Sequence, residues 1–178
     1  MRADDAIDHN PEISRAALAG LHSELFSWCL YLCRHNRADG EDLMQQVYVE
    51  LLAGSARFDG RATLKTFVFG VASQLARNRY RRLARRLRLL AAASPADEIQ
   101  EAAPEAGEFA ERAWQAVNAL PARQRDMAEL VFRRDLTVEE AAQVLGVSTG
   151  TGRTHYARAK QALADALSDF HPAGEQLE

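Results

Sequence analysis

The stretch LTVEEAAQVLGVSTGTGRTHYARAKQALADAL, residues 136–167, defines the C-terminal part of the fold. Thr137, with a glutamate three residues later, is a capping box and predicts a short helix that begins at the next residue. Gly146 predicts the end of that helix, because glycine is the preferred residue at a left-handed C-cap. Ser148 then caps a second, longer and basic helix. A short helix, a three-residue turn with glycine and a basic helix form a helix-turn-helix pattern.

The second helix of this pattern has two different faces. Its predicted buried stripe consists of Tyr156, Ala159, Leu163 and Leu167. Side chains off the stripe suit a DNA major groove, since arginine bonds guanine edges through two N–H groups and threonine contacts a thymine methyl or a phosphate. These side chains are Arg153, Thr154, Ala157 and Arg158. A helical hairpin used only for packing is the alternative interpretation.

Upstream, the stretch AAASPADEIQEAAPEAGE, residues 91–108, is small, acidic and interrupted by proline, which predicts a flexible linker. It divides the chain into an N-terminal domain over 1–90, a C-terminal domain over 109–170 and a tail over 171–178. The sequence is rich in helix formers and lacks alternating β-branched runs. We therefore predict an all-α fold of two small helical domains joined by the acidic linker.

Both domains are predicted to contain several helices. In the C-terminal domain, one helix covers about 108–119, and the next has Pro121 at its first position and continues to about Arg134. In the N-terminal domain, Asp39 is the predicted N-cap of the middle helix, and the turn-rich loop GSARFDGRA follows that helix. Apolar spacing gives the three N-terminal helices bounds of about 12–36, Gly40–Ala53 and Thr63–Leu90.

The third of these helices carries two distinct stripes at about 100° per residue. We predict that its core face consists of Leu64, Val68, Val71 and Leu75. A second stripe combines an aromatic ring, two amides and a series of arginines: Phe67, Gln74, Asn78, Arg81 and Arg85, flanked by Arg77 and Arg88. Aromatic rings stack on bases, amides contact base edges and arginines neutralise phosphates, so this stripe is suited to unstacked DNA. Core packing is the alternative for Phe67.

The charge of the chain is unevenly distributed. The net charge is -3, yet residues 57–90 contain ten basic residues and one acid, while the rest contains twelve basic and twenty-four acidic residues. Blocks of opposite sign suggest two partners, one of them polyanionic. A solvated arginine-rich helix without a partner is the alternative.

Several functional classes are excluded by what the sequence lacks. No apolar run is long enough for a membrane helix, and the acidic start is unlike a signal peptide, so we expect a cytoplasmic protein without membrane insertion. No nucleophile–base pair or phosphate-binding glycine loop is present, so we expect neither enzymatic activity nor a cofactor. The spacing of Cys29, Cys33 and His22 on one helix could suit a metal or a redox role, but their apolar neighbours favour core packing and no metal.

Taken together, these blocks resemble the extracytoplasmic-function sigma factors, small members of the sigma-70 family of bacterial RNA polymerase. DGEDLMQQVYVELL, residues 39–52, resembles the helix that binds core polymerase in family region two. RFDGRATLKTFVFGVASQLARNRYRRLARR, residues 57–86, resembles the helix that melts and recognises the -10 element. The C-terminal block from Leu120 to Leu163 resembles region four, which recognises the -35 element.

The resemblance implies roles for individual residues and partners. Phe58 and Asp59 lie in the loop that, in the family, pockets a base flipped from the non-template strand. The implied partners are core RNA polymerase, promoter DNA and an anti-sigma factor. The implied core-binding residues are Asp39, Glu41, Asp42, Gln45 and Gln46. The implied -10 residues are Phe58, Asp59, Phe67, Gln74, Arg77, Asn78, Arg81 and Arg85. The implied -35 residues are Thr151, Arg153, Thr154, His155 and Arg158.

The sequence departs from the family pattern at several positions. Phe67, Gln74 and Asn78 stand where the family commonly has tryptophan, asparagine and aspartate. We expect these differences to change which promoter sequence is recognised, and not the resemblance to the family. Gly152 replaces a valine in the buried stripe of the recognition helix, so we expect a loosened helix with space for a side chain, or a core that has closed around the glycine. A stand-alone helix-turn-helix regulator is the second functional interpretation, but it explains neither the basic segment nor the acidic helix before it.

Overall fold

The computed structural model describes residues 13–89 and 108–168. The chain forms two compact units, one within 1–101 and the other within 102–178. Across the described residues the regular structure is entirely helical, which confirms the all-α prediction. The predicted linker, apart from Glu108, and the predicted tail lie outside these ranges. None of the helices in the two described ranges has the length and apolar character needed to cross a membrane.

The first predicted helix is in fact two helices, α1 (Arg15–Gly20) and α2 (His22–Leu32). The prediction of one continuous helix over 12–36 is therefore wrong at its interior and at its end. Leu21 interrupts the helical run, and Arg34 and His35 adopt left-handed backbone angles with φ of 52° and 61°. Such angles cannot continue a right-handed helix, so the chain turns there toward the next element.

The second helix, α3 (Arg37–Leu52), begins three residues earlier than predicted. Its N-cap is Asn36, whose side-chain oxygen accepts a hydrogen bond from the backbone N–H of Asp39 at 3.1 Å. The prediction of Asp39 as the cap is wrong, because Asn36 caps the helix three residues earlier. Asparagine and aspartate are about equally good N-caps, so residue type alone does not decide between the two positions. The predicted inward residues of α3 are confirmed, since Leu43, Val47 and Leu51 are all buried.

The third helix, α4 (Leu64–Leu89), begins where Thr63 accepts a hydrogen bond from the backbone N–H of Thr66. Its core face differs from the predicted one, because Phe69, Ala72 and Ala76 are buried together with Val68. Of the predicted core residues only Val68 is fully buried, and Leu64, Val71 and Leu75 are half-buried.

The contact between Trp28 and Phe69 explains this rotation of α4. The two rings are nearly parallel with centroids 5.8 Å apart, and the Trp28 indole N–H donates to the Phe69 carbonyl oxygen at 3.2 Å. Both side chains are fully buried. Large aromatic rings contribute more burial than valine or leucine, so their pairing sets the face of α4 that turns inward.

The second unit begins with α5 (Glu108–Ala119) and α6 (Ala122–Ala128). Pro121 precedes α6 as its N-cap, not as its first helical residue as predicted. The predicted continuous helix to Arg134 is also wrong, because a π-helical turn covers Glu129–Arg133. The Arg134 guanidinium donates to the buried Glu129 carboxylate at 2.7 and 3.0 Å. A wider turn lets these two buried charges meet, and a buried charge without a partner is costly.

The unit ends with the predicted helix-turn-helix, α7 (Val138–Leu145) and α8 (Thr149–Leu167). Thr137 and Glu140 form the predicted capping box, Gly146 has φ of 64°, and the Ser148 side chain caps α8, so these predictions are confirmed.

Helices α7 and α8 approach each other very closely at Gly152. A Cβ atom built on Gly152 would lie 2.7 Å from the Ala142 Cβ and 3.3 Å from the Met127 Cε. The expectation of a loose helix with space for a side chain is therefore wrong. The core has closed around the glycine, as in the second of the two expectations.

Candidate nucleic-acid interface

A cleft of about 490 Å³ lies between the helices α3 and α4 and the loop that connects them. Phe67, Val71 and Leu75 of α4 contribute its apolar surface. Its polar lining consists of the amides of Gln46, Gln74 and Asn78, the guanidinium groups of Arg79 and Arg82, the carboxylate of Glu50 and the serine residue Ser55. An apolar wall with a few convergent polar groups is the usual character of a small-molecule or base-sized site.

Two predicted aromatic residues meet beside this cleft. The Phe58 ring from the loop packs on the Phe67 ring of α4, with centroids 5.2 Å apart and planes tilted by 48°. Both side chains are half-buried, so Phe67 is neither fully exposed nor part of the deep core. The loop thereby gains an anchor on α4, and the side of Phe67 that faces the cleft is available for stacking.

The structure brings together only part of the predicted -10 set. Phe67, Gln74 and Asn78 line the cleft. Arg81 and Arg85 are exposed further along α4, Arg77 is half-buried, and none of the three lines the cleft. Asp59 accepts a hydrogen bond from the Arg61 backbone N–H at 3.1 Å, which stabilises the turn of the loop.

Sequence reasoning missed several residues of the cleft. Glu50, Arg79 and Arg82 were not selected, and Gln46 was placed among the core-binding residues. Gln46 and Glu50 are one helical turn apart on α3, as Gln74 and Asn78 are on α4, so both pairs lie along their helix. That shared spacing was the available signal. The relative rotation of the two helices, which turns these stripes toward each other, depends on tertiary packing.

Apart from Gln46, which lines the cleft, the predicted core-binding residues of α3 divide into three groups. Asp42 and Gln45 are exposed on the outer face, as predicted. Glu41 is half-buried and pairs with Arg37 at 2.8 Å. Asp39 forms an ion pair with Arg79 of α4, so its carboxylate links the start of α3 to the cleft. The exposed apolar side chain of Val49 extends the outer face of α3 beyond Gln45.

The exposed surface of α8 contains most of the predicted -35 residues. Thr151, Thr154 and Arg158 are exposed, and Thr154 donates to the Gly150 carbonyl oxygen at 3.0 Å. Arg153 is exposed too, but its guanidinium donates to Glu139 of α7 at 2.8 and 3.1 Å. This hydrogen bonding to Arg153 lowers the pKa of the Glu139 carboxyl.

His155 differs from the other predicted -35 residues because it is half-buried at the edge of the inner stripe of α8. Its Nδ1 atom is buried and has no hydrogen-bond partner within the described residues. The inner stripe itself includes Gly152 and Ala159, which are buried, and Tyr156, whose ring packs on Phe132. His155 is therefore less accessible than Thr154 or Arg158.

The cysteine and histidine side chains of α2 do not converge on a common site. His22 Nδ1 lies 3.0 Å from the Tyr48 hydroxyl, and within the described ranges no group of three potential ligands could hold a metal ion. Burial raises the pKa of the Cys29 thiol to about 12 and also raises that of Cys33. Thiolates are the reactive and metal-binding form of cysteine, so this environment disfavours both roles.

Comparison with known protein families finds a match for each unit. The family described as Sigma-70 region 2 matches residues 19–86. The family described as Sigma-70, region 4 matches residues 110–163. The first range contains the cleft and the outer face of α3, and the second contains the helix-turn-helix.

Individual proteins agree with these family matches. The RNA polymerase sigma factor HrpL of Pseudomonas syringae pv. syringae is 26% identical over 144 residues, which cover 76% of this chain and 77% of HrpL. Among solved structures, the sigma factor RpoE in complex with the anti-sigma factor NepR from Bartonella quintana matches with a TM-score of 0.67 and 21% identity. That match covers 88% of this chain and 98% of the other, and it supports the fold.

Proposed function

The chain belongs to the sigma-70 family as a sigma factor of the extracytoplasmic-function type, and we propose that the cleft and α8 are its two promoter-binding surfaces. The observation that carries this proposal is the composition of the cleft. It combines an aromatic ring, amides and guanidinium groups within the unit matched to region 2. A sigma factor needs such a surface for melted DNA, whereas a binder of duplex DNA alone does not.

In the first unit, the cleft accepts bases of the melted -10 region. Phe67 provides the stacking surface, Gln74 and Asn78 contact base edges, and Arg82 neutralises a phosphate. Arg81 and Arg85 follow the strand along the exposed part of α4. Phe58 acts by holding the loop on Phe67, which keeps the cleft open to a flipped base.

In the second unit, α8 enters the major groove of the -35 element. Thr154 and Arg158 face outward for this contact, and Arg153 joins them once its bond to Glu139 opens. Thr151 lies in the first turn, where helix N-terminal residues commonly approach a phosphate. His155 lies at the edge of the groove-facing surface and makes at most a peripheral DNA contact, because its side chain is half-buried.

The outer face of α3 binds core polymerase through Asp42 and Gln45, with Val49 as an apolar contact at its C-terminal end. Glu41 and Gln46 border that face. Asp39 lies at the start of α3, where its ion pair with Arg79 links α3 to α4. The RpoE structure is a complex with an anti-sigma factor, and we expect this chain to bind a partner of the same class.

The protein itself carries no catalytic step, because transcript synthesis belongs to the polymerase, and it works where the polymerase works, in the cytoplasm. Nothing supports the stand-alone regulator. Such a regulator does not require a region-2 unit. In addition, the acidic excess outside residues 57–90 opposes tight binding of duplex DNA by the free chain.

Site-specific cross-linking tests the placement of the two surfaces. A photoreactive amino acid is introduced at Gln74 in one variant and at Arg158 in another, and each variant is assembled with core polymerase on promoter DNA. We expect Gln74 to cross-link to the non-template -10 strand and Arg158 to the -35 duplex. A cross-link from Gln74 to duplex outside the melted region contradicts the assignment of the cleft.

A further inference from the structure

Among the described residues that line the cleft, Glu50 is the one acidic residue, and it lies in the last turns of α3. Its backbone carbonyl accepts a hydrogen bond from the Ala56 N–H at 3.2 Å, which fixes the loop against this end of α3. Within residues 13–89, no hydrogen bond or ion pair engages its half-buried carboxylate. A negative group in a DNA-binding cleft requires a reason, since it repels phosphates.

We infer that Glu50 is a specificity-determining residue, whose carboxylate accepts hydrogen bonds from the amino group of a base in the cleft and rejects thymine. A carboxylate is an acceptor only, so it can bind base N–H donors and nothing else on a base edge. Adenine, cytosine and guanine carry an exocyclic amino group. Thymine has no amino group, and its single N–H donor on this edge, N3–H, lies between two carbonyl oxygens that repel the carboxylate.

The surroundings of Glu50 suit this selection. Phe67, Val71 and Leu75 hold the base by stacking and apolar contact, which does not depend on base identity. The amides of Gln46, Gln74 and Asn78 each offer both a donor and an acceptor, so they tolerate any base. Among the described residues on these walls, Glu50 is the one acceptor-only group. The guanidinium groups of Arg79 and Arg82 are donors only, but Arg79 pairs with Asp39 and Arg82 is assigned to a phosphate.

A purely electrostatic role is the competing explanation and predicts a different result. In that case Glu50 would only weaken the field of Arg79 and Arg82 on the DNA backbone. Removing its charge would then strengthen binding to every promoter by the same factor. A selective role instead changes the preference for one base at one position and leaves the other positions as they were.

The inference rests on the proposed function, and one experiment separates the two. Core polymerase with the wild-type chain transcribes promoter templates randomised across the -10 region, in the context of the strongest wild-type template found among genomic fragments. The same library is transcribed with Glu50→Gln, with Glu50→Asp and with the control Glu24→Gln. Glu24 pairs with Lys65 and does not line the cleft.

We expect the wild-type protein to disfavour thymine at one -10 position, and Glu50→Gln to relax that preference about tenfold, the scale of one lost base contact. Glu50→Asp and Glu24→Gln should keep the exclusion of thymine. If Glu50→Gln affects all templates equally, or if no -10 position disfavours thymine, the role of Glu50 is overturned but the proposed function is not. No transcription of the library by the wild-type holoenzyme overturns the proposed function and this inference with it.

Discussion

The guanidinium of Arg153 on α8 lies 2.8 Å from the Glu139 carboxylate on α7, within the helix-turn-helix. The Arg153 side chain is 69% exposed to solvent and the Glu139 side chain is 50% exposed. Exposed ion pairs contribute little to stability, so this pair is not needed to hold the two helices together. Its effect is on function, because the Arg153 side chain has to leave Glu139 before it can reach a base edge.

Arg153 and Glu139 are therefore expected to act in opposite directions on -35 binding. Arg153→Ala in the holoenzyme should weaken binding to the preferred -35 element by about 1–3 kcal/mol and relax the preference at one position. Glu139→Gln should tighten binding, because it frees Arg153 and removes a negative charge near DNA. Competition binding with -35 variants measures both effects, with the exposed Gln143→Ala on α7 as the control. If Arg153→Ala weakens binding to every -35 variant by the same factor, Arg153 contacts a phosphate and not a base edge.

Two glycines of α8 should respond in opposite ways to the same substitution. Gly152→Ala places a Cβ atom 2.7 Å from the Ala142 Cβ and should destabilise the second unit by about 1–3 kcal/mol. No atom lies within 4 Å of a Cβ on Gly150, so Gly150→Ala should stabilise by up to about 1 kcal/mol through helix propensity. Calorimetric unfolding of the full-length chain measures both. A higher midpoint for Gly152→Ala would mean that α7 and α8 are less tightly packed than described.

The outer face of α3 should determine binding to core polymerase. Asp42→Arg combined with Gln45→Ala changes two exposed side chains and should abolish co-purification with core while leaving the unfolding midpoint nearly unchanged. Ser23→Arg, which adds an arginine to the exposed side of α2, is the control and should still bind. Normal recovery of the double variant with core polymerase would place the interface on another face.

The two cysteines should differ in reactivity because of their burial. The Cys29 pKa is raised from 9.0 to about 12 by burial, so its thiol stays protonated in the folded protein until well above neutral pH. Cys33 is half-buried and should be alkylated first at pH 8, as mass spectrometry of labelled peptides can show. The unfolded chain ionises Cys29 near pH 9, so the stability from the buried thiol declines as pH rises from about 9 to 12. Faster labelling of Cys29 at pH 8 would contradict its burial.

The limits of sequence-based prediction in this protein follow from the range of the forces involved. The capping box at Thr137, the turn at Gly146 and the cap at Ser148 depend on neighbouring residues, and all three were predictable. The rotation of α4 depends on the Trp28–Phe69 contact, which joins distant parts of the chain. The π-helical turn likewise depends on the buried pair of Glu129 and Arg134. Glu50 was missed for the same reason, since only the packed helices place it in the cleft.

The most direct test of the account is run-off transcription on fragmented genomic DNA, with core polymerase alone, the chain alone and both together. The account predicts discrete transcripts with defined start sites only when both are present. It also predicts that these transcripts disappear with the Asp42→Arg and Gln45→Ala variant, which removes the polymerase contact. Defined transcripts that do not depend on the chain, or none when core and chain are combined, would contradict its role as a promoter-specificity subunit.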